Sequence, residues 1–407
     1  MSHQLLRIAV LTDLHAFAGK SGDGAPSWLA LGEDQGNARS NPFASLSSLV
    51  ERENLTADIV MCCGDMGDKA SPEGQQYVWR EVGALKEQLG ASEALGTAGN
   101  HDLDSRFQHT SFDAKGQIQA LSPPFPVSER SAWLEYWAQN YTILEHLGAR
   151  IVLLNSAAYH GYAKNPSSPE YEHGRVSDRT LEALMKDLKE RGEYAANVLV
   201  CHHHPFKNDV IKIPDYSQME NGDRLINELS TSLTGPWLII HGHKHMPRVF
   251  YAPGGNSAPA IFSAGSFSAR LYPEYMDLAR NEFYILDLQI PLQPGLETSV
   301  KGIINTWQWS FGNGWVKPTA GKGLGPSAAF GTRAEVGAVA AELAQSLMAG
   351  YSGKSVSWDD VIRLNPRVRY LIPEDLKQLL HILNSSYQIR PVAEYETGEV
   401  AEVQVPQ

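Results

Sequence analysis

Short apolar runs that stop abruptly at polar residues recur along this chain. Ile8 to Thr12 is the first, and Asp58 to Cys63 (DIVMCC) runs into Gly64-Asp65. Ala94 to Ala98 (ALGTA) runs into Gly99-Asn100-His101-Asp102, and Ile151 to Leu154 into Asn155-Ser156. Asn197 to Cys201 ends in three histidines, and Trp237 to Ile240 ends in His241-Gly242-His243-Lys244-His245. An apolar run without alternation reads as a strand buried on both faces, as in a parallel sheet. Between the runs lie helical patterns. The clearest is Asp178 to Arg191, where Leu181, Leu184, Met185 and Leu188 recur at helical spacing and Ser177 or Asp178 supplies the cap. Alternating strand and helix predicts an α/β core with helices on the sheet faces and a crevice at the C-terminal strand ends.

Two insertions interrupt the alternation, Ala16 to Asn41 and Leu103 to Arg150. Both leave from polar clusters, so both are expected to wall a site there. After His245 the runs VFYA, AIFSAGSFSA, NEFYILDLQI and VKGIINTWQWS are β-like and read as a second sheet facing the first. The stretch 312–330 is rich in Gly, Pro and Lys and reads as a linker, so residues 1–311 form one expected domain. From 331 to 407 the chain predicts a helical accessory module, with helices over Arg333–Met348, Ser357–Arg363 and Pro373–Leu383 and a terminal hairpin turning at Thr397-Gly398.

The formal charge of −12 weighs against tracking long nucleic acids, though a local basic groove is compatible with it. Cys62, Cys63 and Cys201 each end an apolar run, a pattern of buried, reduced thiols. No apolar stretch reaches the length of a membrane span, and Asp13 interrupts the N-terminus before a signal-peptide core can form, which predicts a cytoplasmic protein with no membrane partner.

The polar clusters carry the chemistry. Asp13-Leu14-His15 pairs a carboxylate with an imidazole, and Gly64-Asp65-Met66-Gly67-Asp68 adds two carboxylates on a tight turn. Gly99-Asn100-His101-Asp102 offers an amide oxygen beside an imidazole, and His202-His203-His204-Pro205 and His241-Gly242-His243-Lys244-His245 supply six histidines. Each motif alone has a bland reading as a capped turn or a histidine-rich surface loop. Together, each at a predicted strand end, they hold enough oxygen and nitrogen donors for two divalent transition metals.

In this order, D-x-H, GDxxD, GNHD, HHHP and GHKH, the clusters resemble the calcineurin-like metallophosphoesterase superfamily, closest in motif detail to its bacterial class III cyclic-nucleotide phosphodiesterase branch. The resemblance spans roughly Arg7 to Ser266 and includes LLNS in the middle strand, GRVSDRTLEALMKDL before HHHP, and FSAGSFS after GHKH. It implies a four-layer α/β/β/α sandwich carrying the C-terminal, mostly helical extension. It also implies one ion held by Asp13, His15, Asp65 and His245 and a second held by Asp65, Asn100, His203 and His243. His203 is chosen because the family ligand usually lies two residues before the proline. His202, His204 and Asp102 are left as outer-sphere or substrate-facing candidates, and His241 as a support for the sheet end.

Such a pair of ions, about 3.5 to 4 Å apart, implies a metal-activated hydroxide attacking a phosphoryl group in line. His101 is then free to stabilise phosphoryl oxygens or to protonate the leaving alkoxide, with Asp68 orienting its imidazole. The donor set accepts several metals, Mn, Fe or Zn foremost. Protein phosphatases of the superfamily carry Arg after GDxxD and Glu after GNH, whereas this chain has Lys69 and Asp102, which disfavours a phosphoprotein.

The expected activity is hydrolysis of a small phosphodiester such as a cyclic nucleotide. A phosphomonoesterase or nucleotide diphosphate hydrolase is the alternative, and a nuclease-like or signalling effector with a partner-binding C-terminal module is the reading from another class. The region after His245 or that module could provide a homodimer surface. GKGLGP at Gly321 to Pro326 lacks the Lys-Ser/Thr of a phosphate loop, and Trp133, Tyr136, Trp137 and Tyr141 read as a core stripe before a base-stacking platform. His160, Tyr162 and His173 are marginal candidates for the outer shell of the metals.

Overall fold

The computed structural model describes residues 3–161, 173–207, 217–271, 273, 276–295, 297–319 and 321–407. In chain order these form β1 (His3–Leu11), α1 (Pro42–Glu53), β2 (Ile59–Cys62), α2 (Pro72–Leu89), β3 (Glu93–Gly96), α3 (Gly116–Gln119), α4 (Arg130–Gln139), β4 (Tyr141–His146) and β5 (Ala149–Leu154). There follow α5 (Asp178–Arg191), β6 (Asn197–Val200), α6 (Gly222–Thr231), β7 (Trp237–His241), β8 (Arg248–Tyr251), β9 (Ala260–Ser263), β10 (Asn281–Pro291), β11 (Lys301–Ser310), β12 (Gly314–Val316) and β13 (Ser327–Phe330). The C-terminal part comprises α7 (Val336–Tyr351), β14 (Ser355–Ser357), α8 (Trp358–Leu364), α9 (Pro373–Tyr387), β15 (Arg390–Ala393) and β16 (Val400–Gln404).

Two sheets stack face to face. One has the order β12-β11-β10-β1-β2-β3, with β13 also paired to β11, and the other has β4-β5-β6-β7-β9-β8. Strand periodicity explains why β1 reads as an unbroken apolar run. Leu6, Ile8 and Val10 join Ile151, Val198 and Ile240 in the core between the sheets, while Ala9 and Leu11 face the cluster that α1 and α2 cover. Leu181, Leu184, Met185 and Leu188 of α5 pack with Leu225 and Leu229 of α6 on the outer face of the second sheet. Each such side chain contributes about 1.5–3 kcal/mol on full burial, so a strand buried on both faces is anchored from both sides. The layers are therefore helix, sheet, sheet, helix.

Local signals fix the helix ends. Asn41 caps α1 through Phe43 N and Ala44 N ahead of Pro42, and Ser177 caps α5 through Thr180 N. The thiols of Cys62, Cys63 and Cys201 are free and buried.

Three expectations change. The strands after His245 do not make a separate facing sheet, because β8 and β9 complete the sheet of β4 to β7 while β10 and β11 extend the sheet of β1. Alternation reports burial but not which neighbour a strand chooses. The stretch 312–330 is not a plain linker, because β12 and β13 within it both pair with β11. The segment 103–150 is an insertion only as far as Asn140, since β4 pairs antiparallel with β5 and forms an edge of the second sheet. Its aromatic stripe is core as read, with Tyr136 buried and its hydroxyl accepting a hydrogen bond from Ala98 N at 2.9 Å.

The C-terminal module has its own core of Val339, Leu343, Leu347, Val361, Leu379, Leu383 and Val403. β15 and β16 form the terminal hairpin around Thr397-Gly398, and β14 adds to β16. The module meets the sandwich through Tyr251, whose hydroxyl accepts from Gly331 N and donates to Thr332 O, and through the ion pair Arg248–Glu374.

Candidate metal centre

The polar clusters that follow β1, β2, β3, β6 and β7 converge at one end of the sandwich. Asp13 accepts from Thr12 Oγ1 at 3.0 Å and from His243 N at 3.0 Å, which ties the first cluster to the last. Ser266 Oγ donates to Asp13 O at 2.7 Å and Ser268 Oγ to Leu14 O at 2.6 Å. The FSAGSFS segment is thus the brace behind the first cluster. Two glycines are required by close approach. A Cβ on Gly99 would lie 2.2 Å from Asp65 Oδ1, and one on Gly242 would lie 2.1 Å from Thr12 Oγ1 and 2.5 Å from Asp13 Oδ2.

Backbone strain concentrates here. Asp13 (φ 53), His15 (φ 49), Asp65 (φ 55), His243 (φ 73) and His245 (φ 54) are all left-handed without being glycine. Each costs about 1–2 kcal/mol, and strain of this kind persists where the surrounding structure holds a functional geometry.

The side chains meet around Asp65. Its Oδ1 accepts from His101 N at 2.7 Å, while Oδ2 lies 3.7 Å from His15 Nε2 and 3.3 Å from His202 Nε2. On one side Asp13 Oδ1 is 3.2 Å from His245 Nε2, and the two ring nitrogens His15 Nε2 and His245 Nε2 are 3.3 Å apart. On the other, Asn100 Oδ1 is 3.2 Å from His202 Nε2 and 3.0 Å from His243 Nδ1. Donor atoms bound at about 2.1 Å to one ion stand about 3.0–3.4 Å apart at tetrahedral or octahedral angles. The residues present therefore fit divalent ions on both sides, with Asp65 between.

The charges of the protein groups agree. Burial would raise the carboxyl of Asp65, but the imidazoles of His202 and His101 outweigh it and hold the group well below the usual range. Burial likewise opposes ionisation of Asp13, and His245 and His202 overcome it. Burial, with His101 beside it, pushes His15 down to about 4, leaving the neutral imidazole a cation needs. His202 is driven the other way, to about 9, because the Asp65 carboxylate outweighs its burial. A proton on His202 is thus what an incoming cation displaces.

The three consecutive histidines differ in what their rings touch. His202 Nδ1 meets Cys63 O at 2.8 Å and its Nε2 faces Asp65 and Asn100. His203 Nδ1 instead meets Ser156 Oγ at 2.9 Å, and its Nε2 is buried without a hydrogen-bond partner among the described residues. His204 is buried and stacks on His243 at 5.7 Å between ring centroids. His241 is buried with Nδ1 3.0 Å from its neighbour Gly242 O.

Asp102 is a backbone clamp. It is 1% exposed and accepts from Asp65 N, Met66 N and Gly99 N at 2.7, 2.8 and 2.9 Å, fastening the GDxxD turn to the GNHD turn. Burial, with Asp65 nearby, pushes its carboxyl up to about 7. His101 Nδ1 lies 3.1 Å from both Asp68 Oδ1 and Lys69 N. Burial works against the charged ring, but the Asp65 and Asp68 carboxylates prevail and raise its pKa.

A cleft of about 630 Å³ opens over the cluster, lined by His15, Asp65, Asp68, Lys69, Asn100, His101, His243 and His245 of the polar clusters and by Gly24, Ala25, Pro26, Ala269, Arg270, Leu271 and Pro273. Gly24, Ala25 and Pro26 of this lining come from the first insertion. Among the described lining residues none comes from the second. Arg270 and Trp28 were not singled out by sequence, since a lone Arg after FSAGSFS and a lone Trp in a polar loop carry no spacing signal. His160 is buried with its Nε2 3.0 Å from His173 O, beside His203, and Tyr162 lies outside the described residues.

Residues 6–247 match the family described as calcineurin-like phosphoesterase, more than half of the chain. The chain belongs to that family. Its two stacked sheets with outer helices are the metallophosphoesterase sandwich of that family. Residues 328–385 match a second family, described as wHTH-Calcineurin_assc, which coincides with the C-terminal module from β13 through most of α9.

Solved structures similar to this chain include purple acid phosphatase PPD1 from yellow lupin (Lupinus luteus), at 12% identity and TM-score 0.43, covering 77% of this chain and 53% of that one. PhoD matches at 10% identity and TM-score 0.43, covering 77% and 68%. The NAD nucleotidase NadN of Haemophilus influenzae matches at 13% identity and TM-score 0.39, covering 79% and 54%. The chain thus spans about half the length of the lupin phosphatase and of NadN. No curated protein matches the chain. Among the described residues no helix is long and apolar enough to cross a membrane.

Proposed function

We propose that the chain hydrolyses a small phosphodiester, a cyclic nucleotide being the class its motif order favours. The observation that carries this is the His101–Asp68 pair at the edge of the metal cluster. The ring of His101 belongs to the cleft lining, and its Nδ1 rests on a carboxylate outside the proposed ligand set. One ion would be held by Asp13, His15, Asp65 and His245, the other by Asp65, Asn100, His202 and His243. When bound, the ions supply Lewis-acid polarisation of the phosphoryl group and make water acidic enough to attack near neutral pH.

The chain's own residues do the rest. Asp68, close to Nδ1, favours the protonated imidazole of His101, and Nε2 of that ring delivers a proton to the departing alkoxide. Asp102 holds the two turns in register by their backbone N–H groups. The wall of Ala25, Pro26, Ala269, Leu271 and Pro273 is small or apolar, suited to a second ester substituent.

His101→Ala should therefore keep its ions and lose turnover by about 10²–10⁴-fold, read as ion content beside kcat on bis-p-nitrophenyl phosphate. Unchanged kcat would remove His101 from the chemistry. The activity itself is tested by reconstituting the full chain with Mn, Fe or Zn and comparing bis-p-nitrophenyl phosphate, p-nitrophenyl phosphate, cyclic nucleotides and single-stranded DNA. Preference for the first and third supports the proposal, preference for p-nitrophenyl phosphate favours the monoesterase, and inactivity at full ion occupancy sinks both.

The C-terminal module is proposed to dock a protein rather than nucleic acid. Asp and Glu outnumber Lys and Arg from residue 331 onward, and the turn between β15 and β16 carries Glu394, Glu396 and Glu399 beside fully exposed Tyr395. Phosphate-tracking surfaces carry the opposite sign.

A further inference from the structure

Arg270 lines the same cleft as His101, and its surroundings differ from those of the other charged groups there. Its backbone is fixed to the proposed metal loops. It follows the Ser266 and Ser268 hydroxyls that hold Asp13 O and Leu14 O, Arg270 N donates to Pro26 O at 2.8 Å, and Trp28 N donates to Ser268 O at 2.9 Å. Ser27 and Ala269 form an antiparallel bridge between these two donors. The first insertion and the FSAGSFS segment are thereby sewn together at the cleft wall.

The side chain is held as firmly. The guanidinium carbon lies 3.8 Å from the centroid of the Trp28 ring, and that ring is backed by Trp309 and Phe311 at 5.3 and 5.4 Å. Stacking on an indole orients a guanidinium without consuming its in-plane donors. Yet among the described residues Arg270 has no carboxylate within ion-pair distance, and its buried Nε has no hydrogen-bond partner. Lys69, the other cation of the cleft lining, is 4.0 Å from Asp68. A permanently charged fork kept stiff and part-buried in a cleft, with no carboxylate beside it among the described residues, is costly unless a ligand completes it.

We propose that Arg270 is a specificity-determining residue that binds a second phosphate of the substrate, one outside the phosphoryl group at the metals, so that the enzyme takes phosphodiesters bearing a further phosphate. This rests on the phosphodiesterase reading above. Planar, bidentate recognition of phosphate is what a preorganised guanidinium does best, and an apolar wall next to it leaves the two phosphates bridged by an organic spacer.

The test compares two probes on the metal-reconstituted full chain by calorimetry, adenosine 5′-phosphate and adenosine 3′,5′-bisphosphate. The unaltered enzyme should bind the bisphosphate more tightly. Arg270→Ala should shrink that preference about tenfold or more, the scale of a charge-assisted hydrogen-bonded pair. Arg270→Lys should restore only part, because an ammonium lacks the fork, and Trp28→Leu should give a smaller loss of the same preference by freeing the guanidinium. Unfolding midpoints and ion content identify any variant that misfolds, and Trp28→Leu and Arg270→Lys then carry the comparison. Equal weakening of both probes by Arg270→Ala, or no preference in the unaltered enzyme, overturns the proposal. Binding needs no turnover, so inactivity of the loaded enzyme on bis-p-nitrophenyl phosphate would fail the phosphodiesterase reading separately.

Discussion

Asp65→Asn is expected to abolish paired ion binding and to lower turnover on the order of 10⁴-fold, about 5 kcal/mol of transition-state stabilisation. The substitution preserves shape. An amide oxygen in the Oδ1 position still accepts from His101 N, so the turn that follows β2 keeps its anchor. What disappears is the charge at Oδ2, the atom that lies between His15 Nε2 and His202 Nε2. With Asp13 as the remaining proposed carboxylate ligand, two divalent ions would sit side by side with too little negative charge to offset their repulsion. Ion content per chain should fall from about two to one or fewer, while the unfolding midpoint of the metal-free protein should move little. Two ions per chain with activity within tenfold of the original would show that Asp65 is not the shared ligand.

Much of this centre was readable because the strands that carry it are buried on both faces. Continuous apolar runs such as Ile59–Cys62 and Asn197–Val200 mark where a strand ends, and the ligand-type residues begin at that point. The layers followed from the same runs together with the apolar stripe of α5. What the pattern could not express was partnership. β10 places Asp287 and Gln289 among apolar residues, a pattern that names no neighbour, yet it pairs antiparallel with β1 along eight residues and joins β11 to β1 inside the first sheet. Likewise β12 and β13 are so short, within a stretch rich in Gly, Pro and Lys, that composition reads as linker, and only their pairing with β11 makes them strands.

The same distinction applies within the site. Asp102 and Ser156 act through hydrogen bonds to backbone N–H groups of other segments, and no sequence spacing encodes those distances. Glu282 is an extreme case. It is buried behind the metal loops, accepting from Tyr284 Oη at 2.7 Å, Gln308 Nε2 at 3.0 Å and Leu324 N at 3.1 Å, and burial pushes its carboxyl up to about 8. Tyr284 Oη in turn accepts from Gly265 N at 2.7 Å, so this group steadies the loop that braces Asp13. In the sequence it is one more acidic residue at the start of a strand.

His202→Ala should lose the second ion and cut turnover by about 10³-fold or more, whereas His203→Ala should retain both ions. The family resemblance selects His203 by its distance from Pro205, but the hydrogen bonds favour its neighbour. Ser156 Oγ accepts from both His202 N and His203 N, at 3.2 Å each. With both lone pairs engaged, the hydroxyl can only donate to the third contact, His203 Nδ1 at 2.9 Å. The neutral ring of His203 then carries its proton on Nε2 and presents no lone pair there. His202 has the reverse arrangement. Cys63 O can only accept, so His202 Nδ1 keeps its proton, and Nε2, 3.3 Å from Asp65 Oδ2 and 3.2 Å from Asn100 Oδ1, is the nitrogen whose proton an ion would displace to take up its lone pair. A ring nitrogen fixed by a backbone carbonyl with the other aimed at a carboxylate is the usual state of a metal-bound histidine. Counting ions per chain in the two alanine variants decides the matter, and loss of an ion in His203→Ala with both retained in His202→Ala would reverse the assignment.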